Sequence, residues 1–125
     1  MFYNEKIDIF SVGVVTAELF TKEGLFKGRR AEEQAKEITR LLGKFDNSSC
    51  PGCEHLRYYN RYFSNQKDEP PELIPYLEEK CVPKDAIQLI ARLLQLNPAN
   101  RPKAHEVLED SFFSSDPTPN GNFLH

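Results

Sequence analysis

The densest run of apolar residues lies near the amino end of the chain and predicts an α-helix from Ile7 to Phe20. Its apolar side chains cover nearly every direction around that helix: Ile7, Ile9, Phe10, Val12, Val14, Val15, Ala17, Leu19 and Phe20. Valine and isoleucine would also suit a strand, but the length of the run and its lack of alternation favour a helix. A helix that is apolar on all sides must be buried at the centre of a larger body. Ser11 and Gly13 lie close together on it and would allow a neighbouring element to approach closely.

Periodic apolar residues predict three further helices. The second runs from Ala31 to Leu42, with acidic residues near its start and Gly43 as its C-cap. The third has Pro83 in its first turn and ends at Asn97-Pro98. A short fourth helix is predicted from Lys103 to Glu109 and leads into Phe112-Phe113. The predicted fold class is therefore mostly α.

The segment from Lys44 to Cys81 has a different composition. Its prolines forbid one long helix, so irregular chain with short helical pieces is expected. It is also rich in aromatic residues, namely Tyr58, Tyr59, Tyr62, Phe63 and Tyr76. Because disordered segments are usually poor in aromatic residues, we expect an ordered insert. Residues 114–125, with further prolines and an Asn-Gly pair, are expected to form a flexible tail.

Charge and cysteine usage narrow the class of protein. The net charge is −3 with both signs interspersed, which predicts no binding of nucleic acid or of anionic membranes. The longest nearly apolar run, Ile9 to Phe20, is too short to span a bilayer. No secretory signal opens the chain, and three cysteines without a disulfide framework favour a reducing compartment. We therefore expect an intracellular protein of the cytoplasm or nucleus.

Several short motifs, in order along the chain, carry a resemblance to a known family. Asp8-x-x-Ser11-x-Gly13 is similar to Asp-x-Trp-Ser-x-Gly, and Asn97-Pro98-Ala99-Asn100-Arg101-Pro102 is similar to Asp-Pro-x-x-Arg-Pro. Both patterns belong to the large lobe of eukaryotic Ser/Thr protein kinases. Three more stretches resemble the cyclin-dependent and MAP kinase branch: Ala17-Glu18-Leu19-Phe20, Leu25-Phe26-Lys27-Gly28 and Leu41-Leu42-Gly43. Each motif is weak alone, but their order and spacing together make the resemblance specific.

The resemblance extends over roughly residues 3 to 113, and it has departures. Val107 to Phe113 is similar to the closing Leu-x-His-Pro-Phe-Phe of the family. Four positions carry unusual residues for the family: Phe10 for Trp, Lys27 for Pro, Asn97 for Asp, and Lys103 for a Ser or Thr cap. Lys103 should weaken the start of the last helix, because it offers no side-chain acceptor to the free backbone amides.

This resemblance implies that residues 1–113 are the C-terminal part of a kinase domain, with an insert at about residues 44–81. The full enzyme would use ATP and magnesium to phosphorylate protein hydroxyls. The Gly-rich loop, the strand lysine, the catalytic-loop Asp and Asn, and the Asp-Phe-Gly motif do not occur in this sequence. We therefore expect the chain alone to be inactive and to need a missing N-terminal kinase portion. The alternative is a non-catalytic binding module, or a pseudokinase-derived product, that holds a protein partner.

Two residues are candidate supports of the missing machinery. By resemblance, Asp8 would accept hydrogen bonds from backbone amides of the catalytic loop, and Arg101 would pair with a glutamate ending the activation segment. A carboxylate in an apolar helix needs donors, and a buried arginine is rarely left unpaired. Both would lack these partners in the chain alone. A plain capping role at the start of the helix is the alternative for Asp8.

A separate hypothesis concerns metal binding. Cys50, Cys53, His55 and Cys81 offer the thiolates and the imidazole that zinc prefers, and Cys-x-x-Cys is a common half-site. A redox dithiol is a further alternative. Because the second half-site would be a lone cysteine, and no βαβ pattern surrounds the first, a turn with free cysteines is favoured.

The insert is also a candidate docking surface. In the resembled family this region binds adaptor proteins, so residues 44–81 could contact a regulatory protein or a protein substrate. The favoured alternative is that the aromatic rings pack onto the second and third helices. His105 and His125 have no neighbours in sequence that suggest nucleophilic catalysis, and we predict that both are surface residues.

Overall fold

A computed structural model describes residues 5–57 and 59–109 of the chain. Those residues form α1 (Glu5–Thr21), α2 (Ala31–Leu42), α3 (Tyr59–Tyr62), α4 (Leu73–Glu79), α5 (Lys84–Leu93) and α6 (Ala104–Leu108). Two short 3₁₀ turns lie at Cys53–His55 and Pro98–Asn100. The described residues contain no β-strand, so the mostly α fold class is confirmed.

Most of the predicted helices lie where the sequence pattern places them. α2 has the predicted bounds, and Gly43 is its C-cap, with its N–H donating to the carbonyl of Thr39 at 2.9 Å. Gly43 has a φ of 98°, a conformation that side chains disfavour, which explains glycine at this position. Phe112-Phe113 and the expected tail lie outside the described residues.

The third predicted helix is shorter than expected. α5 ends at Leu93, whereas the sequence pattern placed its end at Asn97-Pro98. The carbonyls of Gln95 and Leu96 instead accept hydrogen bonds from the guanidinium of Arg101. The side chain of Arg101 thus satisfies two carbonyls that follow the end of α5 and would otherwise have no helical partner.

The centre of the fold is the contact of α1 with α5. Ala17 on α1 and Ile90 and Leu93 on α5 are fully buried. Gly13 lies directly over α5, where an added Cβ would be only 2.8 Å from the Cβ of Leu93. The predicted close approach is thus confirmed at Gly13, whereas Ser11 is exposed on the other side of the helix.

The expectation that α1 is buried on all sides does not hold for the chain by itself. Ile9, Gly13 and Ala17 are buried against the rest of the chain. The opposite face carries large apolar side chains that remain exposed: Ile7 at 44%, Val12 at 47%, Val15 at 55% and Leu19 at 71%. One side of the most apolar helix therefore has no cover within the described structure.

The segment after α2 is ordered around a small aromatic cluster. The rings of Phe45 and Phe63 meet edge to face with centroids 4.9 Å apart, and Tyr59 lies 6.2 Å from Phe45. Gln66 accepts hydrogen bonds from Thr39 of α2 and from the backbone N–H of Phe45. Its amide nitrogen donates to the carbonyls of Phe45 and Phe63. This one side chain therefore fastens the insert to α2.

Two further observations complete the fold. α4 is tied to α2 by the Glu72 N–H, which donates to the Arg40 carbonyl at 3.0 Å, and by a 2.9 Å ion pair of the same two residues. Pro75 is the third residue of α4, where the first turn tolerates proline because its N–H would have no helical partner.

In the part of the chain that is described, no helix has the length and apolar character needed to cross a membrane.

Candidate functional site

Arg101 links the segment that follows α5 to the first turn of α1. Its Nε donates to the carbonyl of Gln95 at 2.8 Å, its Nη1 to Lys6 at 2.9 Å, and its Nη2 to Leu96 at 3.3 Å. The guanidinium also lies over the ring of Phe10, 4.7 Å from the centroid. The ammonium group of Lys6 donates in return to the Arg101 carbonyl. These contacts hold the arginine in one orientation.

The hydrogen bonds described for the Arg101 guanidinium all go to neutral backbone carbonyls. Burial lowers its pKa, and within residues 5–57 and 59–109 no carboxylate forms an ion pair with it. Carbonyl oxygens satisfy donors without neutralising the charge, so the side chain retains an affinity for a carboxylate. The expectation that Arg101 would be left unsatisfied is thus replaced by an internal arrangement. Its pairing with an upstream glutamate stays a prediction.

Asp8 lies on the uncovered face of α1. Positions 8, 12, 15 and 19 follow helical spacing, so this half-buried carboxylate is in line with Val12, Val15 and Leu19. α1 already begins at Glu5, which places Asp8 inside the helix. The alternative of a plain N-terminal cap for Asp8 is therefore wrong, because a capping residue precedes the first helical turn. An Asp beside an apolar face presents an acceptor to whatever packs there.

The four candidate zinc ligands do not come together. Among the described residues no group of three or more Cys, His, Asp or Glu side chains could hold a metal ion. Cys50 and Cys53 belong to the insert, whereas Cys81 is exposed in the turn between α4 and α5. His55 is exposed. Burial, together with the neighbouring Cys50, raises the pKa of the Cys53 thiol to about 11, which disfavours the thiolate that zinc or redox chemistry needs.

The same finding bears on a magnesium–nucleotide site. Such a site needs carboxylate or carboxamide oxygens grouped near phosphate-binding amides or cations. Within residues 5–57 and 59–109 no group of three or more acidic, histidine or cysteine side chains could hold a metal ion.

A cleft of about 540 Å³ lies between α2 and the insert. Charged side chains of both signs line it, including Lys36, Arg61, Lys67 and Glu32. Tyr62 lies at its wall, beside the guanidinium of Arg61 at 5.5 Å from the ring centroid. A mixed-charge, partly aromatic cleft suits a polar protein surface better than an apolar ligand.

Comparison with known proteins now identifies the family. The protein kinase domain family matches residues 1–113. The chain belongs to the protein kinase domain family.

Its relatives include cyclin-dependent and mitogen-activated protein kinases. The chain is 33% identical over 120 residues to cyclin-dependent kinase F-1 of Oryza sativa subsp. japonica, covering 94% of the chain and 24% of that protein. It is 33% identical over 117 residues to CTD kinase subunit alpha of Schizosaccharomyces pombe, covering 94% and 19%. It is 35% identical over 113 residues to mitogen-activated protein kinase 17 of Oryza sativa subsp. japonica, covering 90% and 19%. The chain thus spans about a quarter or less of the length of these relatives.

The kinase family explains which departures the fold can absorb. Phe10, in place of the usual Trp, still stacks on Phe26 and supports Arg101. Asn97, in place of Asp, caps the following 3₁₀ turn by accepting from the Ala99 N–H at 3.0 Å. Lys103 provides no side-chain cap, as predicted, but Glu106 accepts from the Lys103 N–H at 2.6 Å and supplies half of a capping box. Each of these three residues thus has a defined contact within this chain.

The sequence motifs gave no indication of three other polar contacts. Glu18 accepts a hydrogen bond from the Leu25 N–H at 2.9 Å and fixes the chain after α1. Glu23 receives the hydroxyl of Tyr76 and the ammonium groups of Lys27 and Lys80, joining the same segment to α4. The Gln66 clamp is the third of these contacts. The motif Ala-Glu-Leu includes Glu18 but does not indicate its partner, and the contacts of Tyr76 with Glu23 and of Gln66 with Thr39 join residues far apart in sequence.

Where they are described, the histidines and aromatic residues follow the predictions of a surface position and of packing, respectively. His105 is exposed on α6, and His125 lies outside the described residues. Tyr76 packs against the main core cluster, and Tyr59 and Phe63 pack with Phe45. Tyr58 also lies outside the described residues. Most of the insert's rings therefore serve packing, and Tyr62 is the one that lines the cleft.

Proposed function

We propose that this chain is the C-terminal part of the large lobe of a Ser/Thr protein kinase, and that the chain itself supplies structural support rather than chemistry. In the complete enzyme, the γ-phosphoryl group of ATP would pass to a protein hydroxyl, with magnesium, at residues that precede this part of the domain. The observation that carries the proposal is the uncovered face of α1. It places Ile7, Val12, Val15 and Leu19 around the carboxylate of Asp8.

The chemistry of that face indicates what should cover it. Four exposed aliphatic side chains on one helix face favour a closely packed protein surface, because such patches are rare on free monomers. The carboxylate of Asp8, beside this patch, can accept hydrogen bonds from the covering element. The upstream part of a kinase domain, with the backbone amides of its catalytic loop, meets both requirements. Arg101, held by carbonyls and without a described carboxylate, is positioned for a glutamate from the activation segment.

The proposal also concerns the partners of the protein and its location in the cell. The mixed-charge cleft between α2 and the insert is our candidate surface for a regulatory protein or a protein substrate, with Lys36, Arg61 and Tyr62 as contacts. A soluble kinase of this branch would act in the cytoplasm or nucleus.

The first test is the mass of the native protein, captured with an antibody raised against residues 44–81. A species well above 30 kDa, roughly the size of a complete kinase domain, supports the proposal. A species of 14.4 kDa contradicts it and favours a non-catalytic binding module. That alternative has one observation in its favour, because the chain buries a core of its own around Ala17, Leu77 and Ile90.

The second test separates a covered face from an exposed one. Leu19→Lys replaces a side chain that is 71% exposed in the chain alone, so the chain alone should tolerate it. In the complete kinase the same lysine would be buried against apolar groups, and we expect kinase activity and stability to fall, by several kcal/mol in stability. Leu56→Lys, at a side chain 58% exposed and away from this face, is the matched control and should affect neither. Equal activity of both variants in the larger protein would contradict the proposal.

The predicted inactivity of the chain has its own measurement. Purified 125-residue protein, with ATP, magnesium and a protein substrate, should transfer no phosphate above the level of a blank. ATP- and magnesium-dependent phosphorylation by this chain would overturn the assignment of the chemistry to the upstream part.

A further inference from the structure

A second cleft, apart from the uncovered face of α1 and from the charged cleft, lies where four parts of the chain meet. Its volume is about 410 Å³, and it is bounded by the ends of α2 and α5, the start of α4 and the loop that follows α2. Pockets for small ligands have volumes of roughly 300–1,000 Å³. The cleft is therefore large enough for a small molecule and too small for a folded partner.

The floor of this cleft is apolar and belongs to the core. Leu41, Leu73 and Leu94 line it and are buried, so they are fixed in position by packing on their other sides. Leu42 is half-buried, and Ile74 is 47% exposed at the mouth. An aliphatic or aromatic body placed here would remove apolar surface from water on both partners.

One side of the cleft carries neutral hydrogen-bonding groups. The side-chain oxygen of Asn97 is already held by the Ala99 N–H, which leaves the amide nitrogen as a donor toward a ligand. Within the part of the chain that is described, the Ser48 hydroxyl and the Asn100 side-chain amide have no hydrogen-bond partner. The rim thus provides both donors and acceptors beside an apolar floor.

The most selective feature is the absence of charge. Among the described residues that line this cleft, none is Asp, Glu, Lys, Arg or His, although 28% of the chain is charged. A ligand with a carboxylate or an ammonium group would lose hydration there without gaining a counter-ion. A neutral polar group would instead find the amide and hydroxyl groups of the rim.

We propose that this cleft binds a neutral amphipathic small molecule, with an aliphatic or aromatic body on the leucine floor and a carboxamide or hydroxyl head at Asn97 and Asn100. The inference does not depend on the proposed function, since none of the exposed residues of the uncovered α1 face lines this cleft. A bound ligand would join the insert to the ends of α2, α4 and α5, and would stabilise their arrangement by mass action.

Octanamide is a suitable probe because it combines an eight-carbon body with a neutral head. Methyl carbon–proton NMR of the full chain should show saturable shifts of Leu42, Ile74 and Leu94, with a Kd of about 1 mM for a ligand of this size. Octanoate, which has the same body but a charged head, should bind at least about tenfold more weakly. Equal affinity for the two probes, or shifts centred on Val15 and Leu19 of the uncovered α1 face, would overturn the proposal.

Three variants make the test specific without disturbing the core. Ile74→Lys puts a cation at the mouth of the cleft, at an exposed position, and should weaken octanamide while strengthening octanoate. Leu56→Lys adds the same charge at an exposed aliphatic residue outside the cleft and should change neither affinity. Asn100→Leu keeps the size of the side chain but removes the amide, so octanamide should lose about threefold to tenfold in affinity. An unchanged preference for octanamide in Ile74→Lys would contradict the assignment of the site.

Discussion

The sharpest mutational prediction concerns Gly13, where α1 and α5 are closest. A Cβ added at this position would lie 2.8 Å from the Cβ of Leu93 and 2.8 Å from the Cδ2 of Leu94. Ordinary carbon contacts are about 3.5–4.0 Å, so the overlap is roughly 1 Å. Leu94 can rotate its side-chain end away, but the Cβ of Leu93 moves only with the backbone of α5. Gly13→Ala therefore forces the two helices apart.

The magnitude follows from two opposing terms. Overpacking a well-packed core costs about 1–3 kcal/mol. Replacing glycine by alanine in a helix interior returns about 1 kcal/mol of helix propensity. The difference is about 0–2 kcal/mol of unfolding free energy. We expect the upper end of that range for Gly13→Ala, because the Cβ of Leu93 moves only with the backbone. Gly13→Val adds two more methyl groups and returns less propensity, so its loss should exceed that of alanine.

Urea denaturation followed by far-ultraviolet circular dichroism measures these differences. Gly24→Ala is the matched control, because a Cβ at Gly24 would meet no atom within 4 Å. We expect no loss of stability for that variant. Leu94→Ala combined with Gly13→Ala should show a favourable coupling energy, since removing the Leu94 side chain relieves one of the two overlaps. The reasoning is refuted if Gly13→Ala is as stable as the parent chain while Gly24→Ala behaves as expected.

Two further predictions concern the polar contacts that the motifs did not reveal. The hydrogen bond from the Tyr76 hydroxyl is the largest of the causes that lower the pKa of Glu23 from its ordinary 4.5 to about 2. The stabilisation that results is present above about pH 4.5 and is lost as the pH falls toward 2. Tyr76→Phe should raise the pKa of Glu23 toward 4.5, which a carbon-13 titration of the carboxylate would detect. Gln66→Leu should leave the N–H of Phe45 and the carbonyl of Phe63 without their partner, lowering the opening free energy of the insert by about 2 kcal/mol, as measured by amide hydrogen exchange.

Each of these predictions has a control. Lys80→Met removes a smaller cause of the Glu23 shift, so its effect on the pKa of Glu23 should be weaker than that of Tyr76→Phe. The reverse order would contradict the role given to the tyrosine hydroxyl. Gln34→Leu removes a single exposed hydrogen bond to Gly28 and should leave exchange in the insert unchanged. Equal exchange rates in Gln66→Leu and Gln34→Leu would show that Gln66 does not fasten the insert.

Helical periodicity and capping residues were sufficient to place the elements along the chain. The bounds of α2, its Gly43 cap and the close approach at Gly13 depend on local chemistry, which acts through neighbours in the sequence. The family motifs also lie within short stretches, and the match over residues 1–113 confirms what those stretches indicated. Local signals of this kind can be recognised in the sequence because each depends on a few adjacent residues.

The tertiary structure decided the features that depend on residues far apart in the chain. Arg101 satisfies the carbonyls of Gln95 and Leu96 beyond the end of α5 and that of Lys6 in α1, a contact between residues up to 95 positions apart. The candidate zinc ligands stayed apart because Cys81 follows α4 while Cys50 and Cys53 belong to the insert. The composition of α1 predicted burial on all sides. Only the packing against α5 revealed which face the described residues cover and which face they leave exposed. The periodicity of a helix shows which of its positions are apolar. Whether those positions are buried depends on which other surfaces pack against them.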